Sequence, residues 1–316
     1  MNLIFCSAAG NSAAWLAALA RAFPGASVHA CSHLPEERAQ TPLPQAIDYA
    51  LLWKPPADLL RRLGSVKAIF NLGAGIDTLT ASQALPAGVP VVRIEDAGMA
   101  EQMGEYVVHA VLRQYRELDA YADSQRAGVW RPRARQDKRQ FGVGILGLGV
   151  LGSAVAAALR PFGFPLAGWS RTRKIVAGVD SYAGPVELDA FLARCRVLVC
   201  LLPLTRDTRG LLDRRALSQL PIGAHVVNVA RGALIVDEDL LALLDQGRLG
   251  GATLDVFHDE PLPAAHAFWH HPRISITPHV SAVTLVEESV AQIAGKIARL
   301  EAGLPITGIV DRERDC

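Results

Sequence analysis

Short apolar runs alternate along the chain with stretches of helical periodicity. The runs at 2–7, 47–53, 66–71 and 89–94 read as strands, and a helical stretch fits between most of them. Gly10-Asn11-Ser12 separates the first strand from a capped helix over 13–22. This alternation predicts parallel strands joined by crossover helices. Residues 99–126 carry the longest helical pattern, with Val107, Val108, Val111, Leu112, Tyr115 and Leu118 at i, i+3, i+4 spacing. An arginine-rich polar segment, 131–139, follows and reads as a surface connector. A second series then begins, with strands at 141–146, 165–169, 197–202, 224–229, 252–256 and 274–277 and a closing amphipathic helix over 283–301. Two α/β domains are predicted, with the long helix as the crossover between them.

The length of 316 residues suits two domains, and 50% hydrophobic residues supply two cores. The formal net charge of +1 argues against a general nucleic-acid binder or a protein held on membranes by charge, while leaving room for a local basic patch. The apolar N-terminal stretch has no Lys or Arg ahead of it and is broken at Gly10-Asn11-Ser12, so it reads as a first βα unit rather than an export signal. No other stretch reaches about 18 unbroken apolar residues, so no transmembrane helix is expected. The cysteines are Cys6, Cys31, Cys195, Cys200 and Cys316, an odd number without a C-x-x-C pair. Reduced, mostly buried thiols and a cytoplasmic location are expected.

Chemistry concentrates after residue 141. Gly147, Gly149 and Gly152 form G-x-G-x-x-G, with a strand before, a helix after and another strand next. In that context the motif predicts a dinucleotide site. The first glycine permits the turn, the second admits a pyrophosphate, and the third brings helix and strand together. The next strand ends in Trp169-Ser170-Arg171-Thr172-Arg173-Lys174, with no acid to hold a ribose 2′-hydroxyl. Ser170 and Arg171 suit a 2′-phosphate instead, so NADP(H) is preferred and NAD(H) is the weaker alternative.

Three further residues sit at or just beyond strand ends: Arg231 in Asn228-Val-Ala-Arg-Gly232, Glu260 in Asp255-Val-Phe-His-Asp-Glu-Pro261, and His279 in Thr277-Pro-His279. Ligands of open α/β sheets bind beyond those ends. Each residue alone has an ordinary structural use, but the three together suit reduction of a 2-oxo acid. His279 is the general acid, Glu260 favours its imidazolium form, and Arg231 binds a carboxylate and polarises the carbonyl.

From the glycine turn through Asn228–Gly232, Leu254–Pro261 and Thr277–His279, the chain resembles the D-isomer-specific 2-hydroxyacid dehydrogenases. Leu51–Pro56, Asn71–Asp77, Trp169–Lys174, Cys200–Thr205 and Pro305–Asp311 bring it nearest the branch that reduces glyoxylate and hydroxypyruvate. The resemblance covers essentially the whole chain. It implies two Rossmann-like or flavodoxin-like α/β domains with a cleft between them, the cofactor domain (99–283) being inserted into a discontinuous substrate domain (1–98 plus 284–316). It carries the catalytic roles to Arg231, Glu260 and His279. Cofactor contacts fall on Gly147, Gly149, Val150, Leu151, Gly152, Ser170, Arg171, Arg173, Leu202, Pro203, Val229, Ala230 and Asp255, the last facing the nicotinamide carboxamide. Substrate contacts fall on Trp53, Leu72, Gly73, Ala74, Gly75, Arg231 and His279, and no metal is implied. The resemblance also implies a homodimer joined through the cofactor domains. Many relatives carry an acid where Ser170 and Arg171 stand, which favours the reductase branch. The expected activity is NADPH-dependent reduction of glyoxylate to glycolate and of hydroxypyruvate to D-glycerate. A dehydrogenase of other 2-oxo acids, or a non-enzymatic dinucleotide sensor on the same scaffold, remains the alternative.

Overall fold

β1 (Asn2–Ser7) is apolar with its four central residues buried, as befits a strand covered on both faces. With β2 (Ser27–Ala30), β3 (Tyr49–Trp53), β4 (Ala68–Asn71) and β5 (Val91–Arg93) it forms a parallel sheet in the order β2-β1-β3-β4-β5. That is the flavodoxin-like order. The final helix, Val286–Glu301, belongs to this unit and packs beside the helix Ser12–Ala22, burying Val290, Ile293 and Ile297. Its buried Lys296 donates to the Arg93 carbonyl and to the Glu95 carboxylate at 3.1 and 3.0 Å, so the charge is paired inside the fold.

The second sheet contains β6 (Val143–Leu146), β7 (Leu166–Ser170), β8 (Asp180–Ala183), β9 (Val197–Cys200), β10 (Ala224–Asn228), β11 (Leu249–Leu254) and β12 (Ile274–Ile276). All pairings are parallel, in the order β12-β11-β10-β9-β6-β7-β8. The order reverses between β6 and β9, which opens a crevice at their carboxyl ends. Two apolar cores cover the faces of this sheet, one around Phe191, Leu198 and Leu244, the other around Val107, Val143 and Val155. The computed structural model describes residues 1–8, 10–34 and 43–312, and Cys316 lies outside them. The chain divides into the compact units Met1–Gly98 with Thr284–Cys316, and Met99–Val283.

Three differences from the sequence pattern have local causes. The 99–126 pattern is two helices, Met99–Tyr115 and Leu118–Arg126, separated by Glu117 in the left-handed region at φ 52°. The apolar stripe ends where the Tyr115 ring meets Phe141 and Phe164 edge-on, so nothing beyond it has a core to cover. The second helix buries no residue, and Leu118 is exposed. Secondly, β2 and β8 escape the apolar pattern because both are short, mixed-polarity edge strands. Thirdly, the helix at Ser12–Ala22 begins without a side-chain cap from Asn11.

The connector at 131–137 is irregular and mostly exposed, and Arg133 pairs with Glu117. Cys6, Cys195 and Cys200 are buried, and Cys31 is partly buried. Burial pushes the Cys200 thiol up to about 12, and Cys195 rises for the same reason. Such thiols are unreactive at neutral pH. Among the described residues, no helix is long and apolar enough to cross a membrane.

Candidate active site

Each glycine of the turn after β6 has a separate structural reason. Gly147 has φ +116°, and an added Cβ would lie 2.8 Å from the Leu201 carbonyl carbon. At Gly152 it would lie 1.8 Å from the Gly147 oxygen, so only glycine lets the helix Val150–Leu159 start here. Gly149 differs: its φ is −78°, and a Cβ would meet nothing within 4 Å. The space over Gly149 is therefore open, and the amides of Val150, Leu151 and Gly152 at the helix start face no acceptor among the described residues. Free amides, a helix dipole and empty volume fit a pyrophosphate. Gly149→Ala should leave the thermal midpoint unchanged but raise the dinucleotide Kd. Losing one charge-assisted hydrogen bond costs about 1.5–3 kcal/mol, or on the order of tenfold or more in Kd. Gly152→Ala should instead destabilise the fold by about 1–3 kcal/mol. Thermal unfolding and fluorescence titration separate the two effects.

Across the crevice, Leu202 is buried and Pro203 exposed beyond β9, while Val229 and Ala230 are buried beyond β10. At the end of β7, Ser170 is 8% exposed and its hydroxyl donates to the Thr172 carbonyl at 2.8 Å. Arg171 and Lys174 are exposed and make no hydrogen bond or ion pair among the described residues. Arg173 is committed elsewhere, donating to the Ser181 carbonyl and to Glu187, which in turn accepts from the Ala183 amide. Of the three cations, then, Arg171 and Lys174 are the ones open to an incoming phosphate.

The catalytic candidates gather at the carboxyl ends of β10, β11 and β12. His279 Nδ1 lies 2.7 Å from Glu260 Oε2. An ionised carboxylate only accepts, so Nδ1 carries the proton and Nε2 is left for chemistry. The other Glu260 oxygen accepts from the Phe257 amide at 3.1 Å, which fixes the carboxylate. His279 itself stands in the left-handed region at φ 56°, a strained position for a non-glycine residue.

Asp255 holds that conformation. Fully buried, it accepts from the Thr277 hydroxyl at 2.6 Å and from the Val280 and Ser281 amides at 2.8 Å each. Its backbone oxygen takes the His279 amide at 2.8 Å. Since Thr277 donates to Asp255, Tyr106 donates to Thr277 across 2.6 Å, and burial raises the Tyr106 phenol. Three of the Asp255 acceptor positions thus anchor the histidine loop.

Arg231 is extended at φ −146°, ψ 141°, and partly buried. Its guanidinium donates to the Ala230 carbonyl at 2.6 Å. Asn228 shapes this turn, giving its amide to the Arg231 carbonyl at 2.9 Å and taking the Ala230 amide at 3.2 Å. Gly232 lets the turn rest on the next loop, since a Cβ would meet the Phe257 carbonyl carbon at 2.0 Å.

In the other unit, the loop after β4 has a matching internal logic. The Asn71 amide reaches forward to the Gly73 and Gly75 carbonyls at 2.7 and 2.9 Å. With those oxygens turned inward, the amides of Gly73, Ala74 and Gly75 have no hydrogen-bond partner among the described residues. Such a nest suits an anion. The Leu72 amide is anchored on the Leu52 carbonyl, and the Trp53 ring fills the space a Gly73 side chain would need, at 2.3 Å. Trp53 and Gly73 are thus in contact. Asn71, Asn228, Thr277 and Tyr106 were not singled out from sequence. The two asparagines lie inside motifs and are the last residues of their strands, which is the signal a search for loop-shaping amides would use.

A Rossmann sheet whose strand ends present a carboxylate-oriented histidine beside an arginine turn defines a dinucleotide-dependent oxidoreductase architecture. Comparison with known proteins gives it a family. Residues 108–281 match the model of the D-isomer specific 2-hydroxyacid dehydrogenase, NAD binding domain. The chain is 45% identical to glyoxylate/hydroxypyruvate reductase A of Serratia proteamaculans, over 98% of both chains. A D-isomer specific 2-hydroxyacid dehydrogenase from Xanthobacter autotrophicus, solved with NADPH and MES, superposes with TM-score 0.94 at 38% identity, covering 100% of this chain and 99% of that one. The NADPH-dependent glyoxylate/hydroxypyruvate reductase of Sinorhizobium meliloti, solved with NADP and sulfate, gives TM-score 0.91 at 36% identity over 100% of both chains. The chain belongs to the D-isomer specific 2-hydroxyacid dehydrogenase family.

Proposed function

We propose that this protein reduces small 2-oxo acids with NADPH, converting glyoxylate to glycolate and hydroxypyruvate to D-glycerate. The observation that carries the reading is the 2.7 Å Glu260–His279 pair beside the Arg231 turn, behind a glycine cradle that lacks an acid at its ribose end. The relatives named above support both the substrates and the cofactor. The residues present fit a dinucleotide phosphate: open space over Gly149, free helix amides, and Arg171 with Lys174 facing solvent.

When bound, NADPH supplies a hydride to the carbonyl carbon of the substrate. His279 delivers the Nε2 proton to the carbonyl oxygen as charge develops there. Glu260 holds the ring in the required tautomer and stabilises the cation before transfer. Arg231 neutralises the growing negative charge and orients the substrate carboxylate. Within the other unit, the amides of Gly73, Ala74 and Gly75 suit a carboxylate, and Trp53 packs on Gly73; we assign both, with Leu72, to the substrate on the resemblance. Gly147, Val150, Leu151, Gly152, Ser170, Leu202, Pro203, Val229 and Ala230 line the cofactor's path, while Asp255 acts through the loop it anchors.

The same reading includes a homodimer formed through the 99–283 unit. The helix Leu118–Arg126 supports it, since it buries nothing within its own chain. So does Trp130, which is 97% exposed. We place the protein in the cytoplasm because Cys6, Cys195 and Cys200 are sequestered as thiols. The activity is tested by following NADPH oxidation with glyoxylate, hydroxypyruvate and larger 2-oxo acids. Turnover confined to the two small acids is expected; preference for a bulky 2-oxo acid would remove the substrate assignment.

A further inference from the structure

Outside the reacting groups, one cluster of titratable side chains joins two segments that the mechanism needs in register. Asp237 opens the helix Asp237–Asp245, and its side chain is only 19% exposed. Its Oδ1 faces His258 Nε2 at 3.4 Å, and its Oδ2 faces His266 Nε2 at 3.6 Å. Both imidazoles present a proton. His258 Nε2 donates to the Ile235 carbonyl at 2.9 Å, and a carbonyl can only accept. His266 Nδ1 accepts the Phe268 amide at 3.3 Å, which puts that ring's proton on Nε2. The His266 ring also stands edge-on to Phe268 at 4.5 Å. Burial raises the Asp237 carboxyl and both imidazoles oppose the rise.

The two segments so joined are 231–237 and 257–266. The first starts at Arg231; the second contains Glu260. They touch again at Gly232, where a Cβ would sit 2.0 Å from the Phe257 carbonyl carbon and 2.4 Å from the His258 nitrogen. Phe257 is also the residue whose amide fixes Glu260. A line of contacts thus runs from Asp237 through His258 and the 257–258 backbone to Glu260, and from there to His279.

We propose that Asp237, His258 and His266 are positioning residues: a clamp that holds the arginine segment and the glutamate segment in one register. The proposal rests on the roles given above to Arg231 and Glu260. None of the three touches the glycine turn or the ribose-end cations, so their loss acts on chemistry and spares cofactor binding. Small displacements of catalytic groups carry large rate penalties.

The experiment uses the full chain with Asp237→Ala, His266→Ala and His266→Gln. The glutamine amide can donate to Asp237 in place of the imidazole. Three readouts are taken: NADPH affinity by fluorescence, kcat and KM with glyoxylate, and hydrogen–deuterium exchange of peptides covering 231–237 and 257–266. For both alanine variants we expect kcat to fall on the order of tenfold and KM for glyoxylate to rise, with NADPH affinity unchanged. Exchange should quicken in both segments together, and His266→Gln should recover most of the loss. Unchanged exchange in the two segments, unchanged kcat, or equal loss of NADPH binding and kcat would overturn the clamp. Should the parent protein turn over no 2-oxo acid, the functional reading falls, and coupled exchange still decides the clamp.

Discussion

His279→Ala is expected to lower kcat by ~10³-fold, within the range that a positioned general acid contributes, while the NADPH dissociation constant stays at its parent value. The split follows from the geometry. In the proposed mechanism His279 Nε2 is the proton source, while the cofactor is assigned to the glycine turn and the Ser170–Lys174 turn. The loop itself should survive the change, because Asp255 grips it through the Thr277 hydroxyl and the Val280 and Ser281 amides rather than through the imidazole. Glu260→Gln should cost less. The amide can still accept from Nδ1, but it no longer offsets the imidazolium charge. Stopped-flow measurement of a single turnover with preformed NADPH complex checks both variants. A parent-like rate in His279→Ala would exclude it as the acid.

Arg231→Ala is expected to reduce kcat by ~10²–10³-fold, the cost of removing one donor to a developing oxyanion, and to raise KM for glyoxylate as well. Its effect on KM would distinguish it from His279, because in the proposed mechanism the guanidinium also binds the substrate carboxylate before reaction. Arg231→Lys should recover little, since an ammonium cannot reproduce the planar two-donor fork. Steady-state kinetics with glyoxylate as the varied substrate supply both parameters. Normal kcat/KM in Arg231→Ala would reject the clamp on the carboxylate.

Much of this site could be read from residue order alone, because its chemistry sits at strand ends. The glycine turn, the Ser170–Arg171 turn, Arg231, Glu260 and His279 each follow an apolar run, and parallel sheets place such positions on one edge. The sequence could not show which cation remains available. Arg173, which reads as a phosphate ligand, also engages Glu187, fourteen residues away. Nor could it show that Asp255 spends its carboxylate on Thr277, Val280 and Ser281, more than twenty residues downstream. Asn71 was hidden for a related reason. Its value lies in two short-range bonds to backbone carbonyls, which leave no mark on composition or periodicity. In the fold, the edge strands β2 and β8 lack the double-sided burial that makes β1 or β9 legible. The left-handed Glu117 cut a helix whose apolar pattern alone gave no reason to stop.

As proposed, the protein is an NADPH-dependent reductase of small 2-oxo acids. The most direct measurement is kcat/KM for NADPH and for NADH at saturating glyoxylate, on the parent protein and on Arg171→Ala. Efficient turnover with NADPH, a lower kcat/KM with NADH, and a collapse of that difference in Arg171→Ala are predicted. A higher kcat/KM with NADH in the parent protein, or no oxidation of either cofactor, would contradict it.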